Sequence, residues 1–325
     1  MAFTRWSIVL SEAVTPFYST KLTPINLRNK SILLISLAKI SVLFMFLVIF
    51  AMFLTKNSIA MTLDILICTI DEGIKKVPNV LIPKEEGIRY IISMQYTDES
   101  YFAMIPDILR TRDDVTLLTL QGRGLSRNRN NALAHATGDI LLIADDDNRY
   151  TSEGLRQIIE TYECNQDASV ICFMSESYSG EPMKKYPTEA MSYEEAFKQG
   201  YYTTSFEMTM RNHLDILFDE RFGLGSKMLC AGEEEVFMKD VIDAGYEALF
   251  IPKVIVRSDA DTTGTHFVGN KKMQISKGAT FRYLFGTREA IWRSIKEALH
   301  HLIHEGANPF PILRNMLKGI WILQS

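Results

Sequence analysis

The sequence has little cysteine, no surplus of positive charge and no repeats, and each shortage closes a class of function. Its four cysteines, Cys68, Cys164, Cys172 and Cys230, form no Cys-x-x-Cys pair and have no histidine at zinc spacing, which excludes a structural zinc module. Cys68 and Cys172 sit inside strongly apolar runs, where buried reduced thiols are expected and a reducing compartment is favoured. Lysine and arginine number 35 against 39 aspartates and glutamates, a formal charge of −4, so nucleic acid is not an expected partner. No internal repeat or low-complexity tract appears. What remains is a chain of 325 residues, enough for one large α/β domain with appendages. A catalytic unit of roughly 200 residues would bury most of its apolar surface and need no disulfide.

Composition changes sharply near residue 60. The run ILLISLAKISVLFMFLVIFAMFL, Ile32 to Leu54, carries one charge, Lys39, in 23 residues. About 20 apolar residues cross a bilayer as a helix, so a single N-terminal transmembrane helix over 32–54 is expected after a tail of 1–31. Lys39 is close enough to the start to snorkel to the interface. The apolar core begins too late and runs too long for a cleaved signal peptide. Arg5, Lys21, Arg28 and Lys30 precede the run and Lys56 alone follows closely, which puts the N-terminus in the cytoplasm. The alternative is a translation start at Met61.

Beyond Met61, strands alternate with helices. TLDILICTI, IRYIISM, VTLLTL, GDILLIAD and ASVICFMS read as five strands. SRNRNNALAHATG reads as a helix capped at Ser126 and stopped by Gly138, and Leu155, Ile158, Ile159 and Tyr162 make a second helical stripe. This order predicts an α/β fold with a mostly parallel sheet flanked by helices over 61–270. The polar, tyrosine-rich stretch 176–204 suits an active-site loop. FEMTMR alternates as a strand, and EEEVFMKDVIDAGY has helical periodicity. Residues 271–325 form amphipathic helices that either pack on the domain or lie at a membrane surface.

Three clusters carry chemistry. Asp145-Asp146-Asp147-Asn148 follows a buried strand, where open α/β sheets bind ligands. Adjacent carboxylates repel one another unless a cation offsets the charge, and oxygen ligands suit Mg²⁺ or Mn²⁺ completed by phosphate oxygens. Arg149 and the absence of a following glycine exclude an EF-hand; the plainer alternative is a solvated acidic turn. In GRGLSRNRNNALAHATG the third glycine of a dinucleotide fingerprint is replaced by Arg127. Arg129 falls on the apolar face of the helix, so an anionic ligand or a buried acid must satisfy it. Finally, Glu233, Glu234 and Glu235 open a helix, where acids complement its dipole. Glu234 precedes Phe237, Met238 and Val241 at helical spacing and is placed on the buried stripe as a candidate general base. Glu235 is expected to pair with Lys239.

Taken in order, LDILICTI, NRNNALAHATGDILLIADDDN and FDERFGLG…AGEEEVFMKDVIDAGYEALFIP resemble the inverting family 2 glycosyltransferases of the GT-A fold, over about Met61 to Val256. The resemblance implies transfer of a sugar from a nucleotide-diphosphate sugar to a hydroxyl of a glycan or lipid-linked acceptor, of the kind used in capsule or exopolysaccharide synthesis. It implies Asp145 on the donor ribose, Asp147 (with Asp145) on a divalent cation, and Glu234, beside Glu233, as the base. Thr69, Gln95, Arg129 and Asp146 would contact the nucleotide. The family's usual Asp pair after the second strand is replaced by Met94 and Gln95. The family's metal-binding His has only His266 as a substitute. No processive Gln-x-x-Arg-Trp signature is present, so single-sugar transfer is implied. With the apolar segment, the resemblance implies a membrane protein, single-pass or peripheral. Its domain would face the cytoplasm, or the lumen in a Golgi-type enzyme. A sugar nucleotidyltransferase and a non-catalytic membrane-anchored nucleotide-sugar-binding protein are the alternatives.

Overall fold

The computed structural model describes residues 61–259 and 267–323, together with Ser41, Phe44 and Met45. The chain divides into two units, 1–59 and 60–325; the first lies, apart from those three residues, outside the described residues. The transmembrane helix expected over 32–54 is a correction: no helix among the described residues is long and apolar enough to cross a membrane, and the segment itself falls almost wholly outside them.

The second unit is built on β1 (Leu63–Ile70), whose side chains divide between two apolar layers with period two. Leu63, Ile65 and Ile67 point into one buried cluster, and Leu66 and Cys68 into the other. A strand buried on both faces reads as a continuous apolar run, which is why LDILICTI shows no alternation. β2 (Ile88–Tyr96), β3 (Val115–Gln121) and β4 (Ile140–Asp145) join it as a parallel sheet. Between β3 and β4 lies α1 (Leu125–Leu133). Asp64, buried inside β1, accepts hydrogen bonds from the amides of Thr137 and Gly138 at 2.7 Å each and from Arg89 at 2.8 Å. That carboxylate fixes the turn leading into β4. The helix stops at Leu133, before the expected Gly138, and begins one residue before Ser126, whose hydroxyl donates instead to the Phe222 carbonyl at 2.7 Å.

The remaining strands are β5 (Arg149–Tyr150), β6 (Val170–Ser177), β7 (Met191–Ser192), β8 (Met208–Arg211) and β9 (Ala248–Ser258). The sheet order is β3-β2-β1-β4-β8-β6-β9-β5, with β7 on β9. The expected mostly parallel sheet holds for β1 to β4 and again for β6 and β9, which pair parallel to each other. β8 lies antiparallel between β4 and β6, and β5 and β7 pair antiparallel with β9. The sheet is therefore mixed, with β5, β7 and β8 as its antiparallel members.

Helices α2 (Ser152–Cys164), α3 (Tyr193–Lys198) and α4 (Glu233–Asp243) flank the sheet. Two helices follow, α5 (Lys271–Glu305), broken at Gly286 with φ 75°, and α6 (Pro309–Ile322). They cross where Gly278 and Gly319 meet backbone: a Cβ on either would stand about 2 Å from a carbonyl oxygen of the other helix. Ala279 on α5 also joins Phe222, Leu229 and Val236 in a small core, so the C-terminal helices pack on the domain.

Candidate active site

The carboxyl end of β4 carries the acidic run, and Asn148 holds its shape. The buried Asn148 side chain accepts from the Asp145 amide at 2.7 Å and donates to Ser258 at 3.2 Å. The three aspartates therefore diverge. Asp145 faces a cavity of about 1210 Å³ that Glu233, Glu234 and Arg129 also line. Asp146 turns toward β1, accepting from Thr69 at 2.5 Å, with Lys76 at 4.0 Å. Asp147 is held through its backbone carbonyl, which accepts from Arg149 at 3.1 Å and from the Tyr178 hydroxyl. Its carboxylate has no hydrogen bond or ion pair among the described residues.

Arg129 is the hub. One Nη lies 3.1 Å from Glu234 and 3.3 Å from Glu233, the other 3.7 Å from Asp145, and Phe218 presents its ring 5.2 Å away. The side chain is 1% exposed, and its Nε has no partner among the described residues. The apolar position of this arginine demanded an anion, and buried acids supply it. The guanidinium implied on the nucleotide by resemblance is thus engaged with three carboxylates of the protein itself.

α4 delivers two of these acids from its first turn. Gly232 before it adopts φ 98°, and a Cβ there would stand 2.1 Å from the Thr280 hydroxyl, so only glycine allows the approach. Phe237, Met238 and Val241 form the buried stripe as expected, and the stripe is wider than the spacing suggested. Glu233 shares it with Val236 and Phe237 and is 6% exposed, while Glu234 is 18% exposed. Glu235 faces Lys277 at 4.0 Å, and Lys239 pairs with Asp243 rather than with Glu235.

Three acids around one buried cation leave negative charge in a dry place, and the titration follows. Burial pushes Asp145 up to about 6 against the pull of Arg129. Burial, then the Glu234 carboxylate, raises Glu233. Asp146 is also raised by burial, with the Thr69 hydroxyl opposing. Burial alone would lower Arg129, but Glu234, Glu233 and Asp145 outweigh it and raise the group.

Among the described residues no three His, Cys, Asp or Glu side chains converge closely enough to hold a metal on their own. A hard cation held by one or two carboxylates, with substrate phosphates completing its shell, would draw on Asp145 and Asp147. His266 lies outside the described residues. Gln95, at the end of β2, is buried and its Nε2 has no partner. All four cysteines are free, and burial pushes Cys68 and Cys172 up to about 12, as inert thiols should be.

One buried group escaped the sequence. Glu207, between α3 and β8, accepts from Ser175 at 2.7 Å and Tyr186 at 2.5 Å and pairs with Lys184 at 2.7 Å. A lone acid opening the alternating FEMTMR strand was its only signal. Two residues earlier, Ser205 donates to Asp145 at 3.4 Å, which ties this cluster to the acidic turn.

Residues 97–218 match the family described as Glycosyl transferase family 2. The sequence matches no curated protein significantly. Among solved structures the chain is similar to TarS 1-349 of S. aureus, with 15% identity, a TM-score of 0.51, and 81% of this chain and 91% of that one covered. The complex of TarS 1-349 with UDP-GlcNAc gives 14% identity, a TM-score of 0.50, and coverage of 81% and 92%. Against a longer TarS chain, it spans 44% of the length. Residues 97–218 thus carry the match to Glycosyl transferase family 2, and the fold around them is similar to that of TarS 1-349.

Proposed function

We propose that this chain is a glycosyltransferase that moves one sugar from a nucleoside-diphosphate donor to an acceptor hydroxyl by direct inverting displacement. The observation that carries the proposal is the Arg129 hub, which brings the start of α4 to the carboxyl end of β4 and points both at one cavity. Glu234 is the base. It is the more exposed of the paired glutamates, and its hydrogen bond to Arg129 holds the carboxylate in place. Glu233, buried and raised, keeps a proton more readily and fills the pair without competing for the acceptor. Asp145 and Asp147 would hold a divalent cation, which supplies charge stabilisation for the departing diphosphate when bound. Gln95 offers a buried, unpartnered amide where the donor base would lie.

The TarS complex contains UDP-GlcNAc, so uridine diphosphate sugars are the first donors to test. Incubation with a donor and an acceptor should release free nucleoside diphosphate, one per sugar moved. Release of pyrophosphate instead would assign a nucleotidyl transfer and refute the proposal.

A further inference from the structure

The cavity is larger than the chemistry at β4 requires, and its parts differ in character. One part holds Asp145, Arg129, Glu233 and Glu234; another reaches α3 and α5, where aromatic and aliphatic side chains share the lining with Arg293, 3.9 Å over the Phe285 ring, and Glu297. Phe197 of α3 stacks on Phe285 of α5 at 6.1 Å and 28°, and Phe281 lies 6.2 Å from Phe285 one turn earlier. Leu284 continues this wall. Gly286 breaks α5 directly after Phe285. A nucleotide sugar is polar throughout and, in the proposed reaction, is held at the β1–β4 end. A largely aromatic arm of the same cavity suits the other substrate.

The arm also carries cations. Lys277 lies 5.3 Å over the Phe281 ring and, among the described residues, has one carboxylate within ion-pair reach, Glu235 at 4.0 Å. Lys198, at the end of α3, has no carboxylate within ion-pair distance among the described residues. Ammonium groups at the margin of an aromatic wall match a ligand with an apolar chain and an anionic head.

We infer that the Phe197–Phe281–Phe285 arm is an acceptor subsite for an amphiphile in which an apolar chain is joined to phosphate, with Lys277 on the phosphate. This rests on the transferase reading above and chooses between its two acceptor classes. The attached sugar would extend from the phosphate toward Glu234, leaving its hydroxyl to be deprotonated.

The test uses the full chain and three probes: farnesyl phosphate, farnesol and inorganic phosphate. Binding is followed by calorimetry, with nucleotide-sugar binding measured on the same samples. Farnesyl phosphate should bind at least tenfold more tightly than either half-probe, because burial of the chain and contact with the phosphate contribute together. Phe285→Ala should weaken it about tenfold, Lys277→Ala should remove its advantage over farnesol, and neither should change donor affinity. Farnesyl phosphate binding no better than inorganic phosphate, with donor binding intact, would overturn the inference and leave the transferase reading standing. So would tight binding of water-soluble maltotriose that Phe285→Ala abolishes, since it would make the arm a glycan platform. Loss of all donor binding in wild type would remove the reading beneath it.

Discussion

The molecule buries two charge clusters a few residues apart, and they are built on opposite rules. Around Glu207 one acid meets one lysine and a set of neutral hydroxyls from Ser175, Tyr186 and Tyr201, so the charges balance and the acid's oxygens are all engaged. Around Arg129 one guanidinium meets three carboxylates, and the excess negative charge is left facing a cavity. A balanced buried network stabilises a shape. An unbalanced one is unfinished until a cation or a proton arrives, and that is the condition an active site needs. The difference separates a structural acid from a chemical one where both are buried and both lie near the same strand ends.

The largest effect that would sharpen this contrast is on turnover. Glu234→Gln is nearly isosteric and should lower transfer about 10²–10⁴-fold while donor affinity and Tm change little. Transfer within a few-fold of wild type would remove Glu234 from the role of base. The counterpart, Glu207→Gln, should act on the fold instead, leaving the Lys184 ammonium unpaired among tyrosine rings at a cost of about 3–5 kcal/mol in denaturant unfolding. An E207Q protein of wild-type stability would break the comparison.

Acidity distinguishes the clusters more gently. Asp145 rises from 3.8 to about 6 on folding, so the folded state holds that proton more tightly than the unfolded chain does. Its contribution to stability is therefore present below about pH 4 and lost as pH rises through about 6. In metal-free buffer, Tm should fall over that window in wild type, and Asp145→Asn should flatten the slope. An unchanged slope in D145N would assign the titration elsewhere. As the smallest effect, Lys84→Ala removes an exposed pair with Asp113 and should leave Tm unmoved, a baseline for the buried substitutions.

How much of this was legible in the sequence depends on how local the cause was. The acidic turn, the buried position of Arg129 and the glutamates opening α4 all follow from periodicity and strand ends, and they converge in the fold. The deeper burial of Glu233 was not legible, because it depends on how the start of α4 packs at Gly232 against Thr280, a contact 48 residues away in sequence. β8 was legible as a strand, but its antiparallel place between β4 and β6 is set by the path of a long loop. The role of Asn148 lies in its hydrogen bond to Ser258, which no spacing rule reveals. The apolar run at 32–54 had a clear expectation that the described residues do not support.

The central claim is that the carboxylates at the end of β4 complete their shell with a cation and a nucleotide sugar. Calorimetric titration of the full chain with a panel of nucleotide sugars, in Mn²⁺ and then in chelator, tests it most directly. The expected result is binding of one donor that requires Mn²⁺ and is lost in Asp147→Asn. Binding equally strong in chelator, or unaltered in D147N, would contradict it.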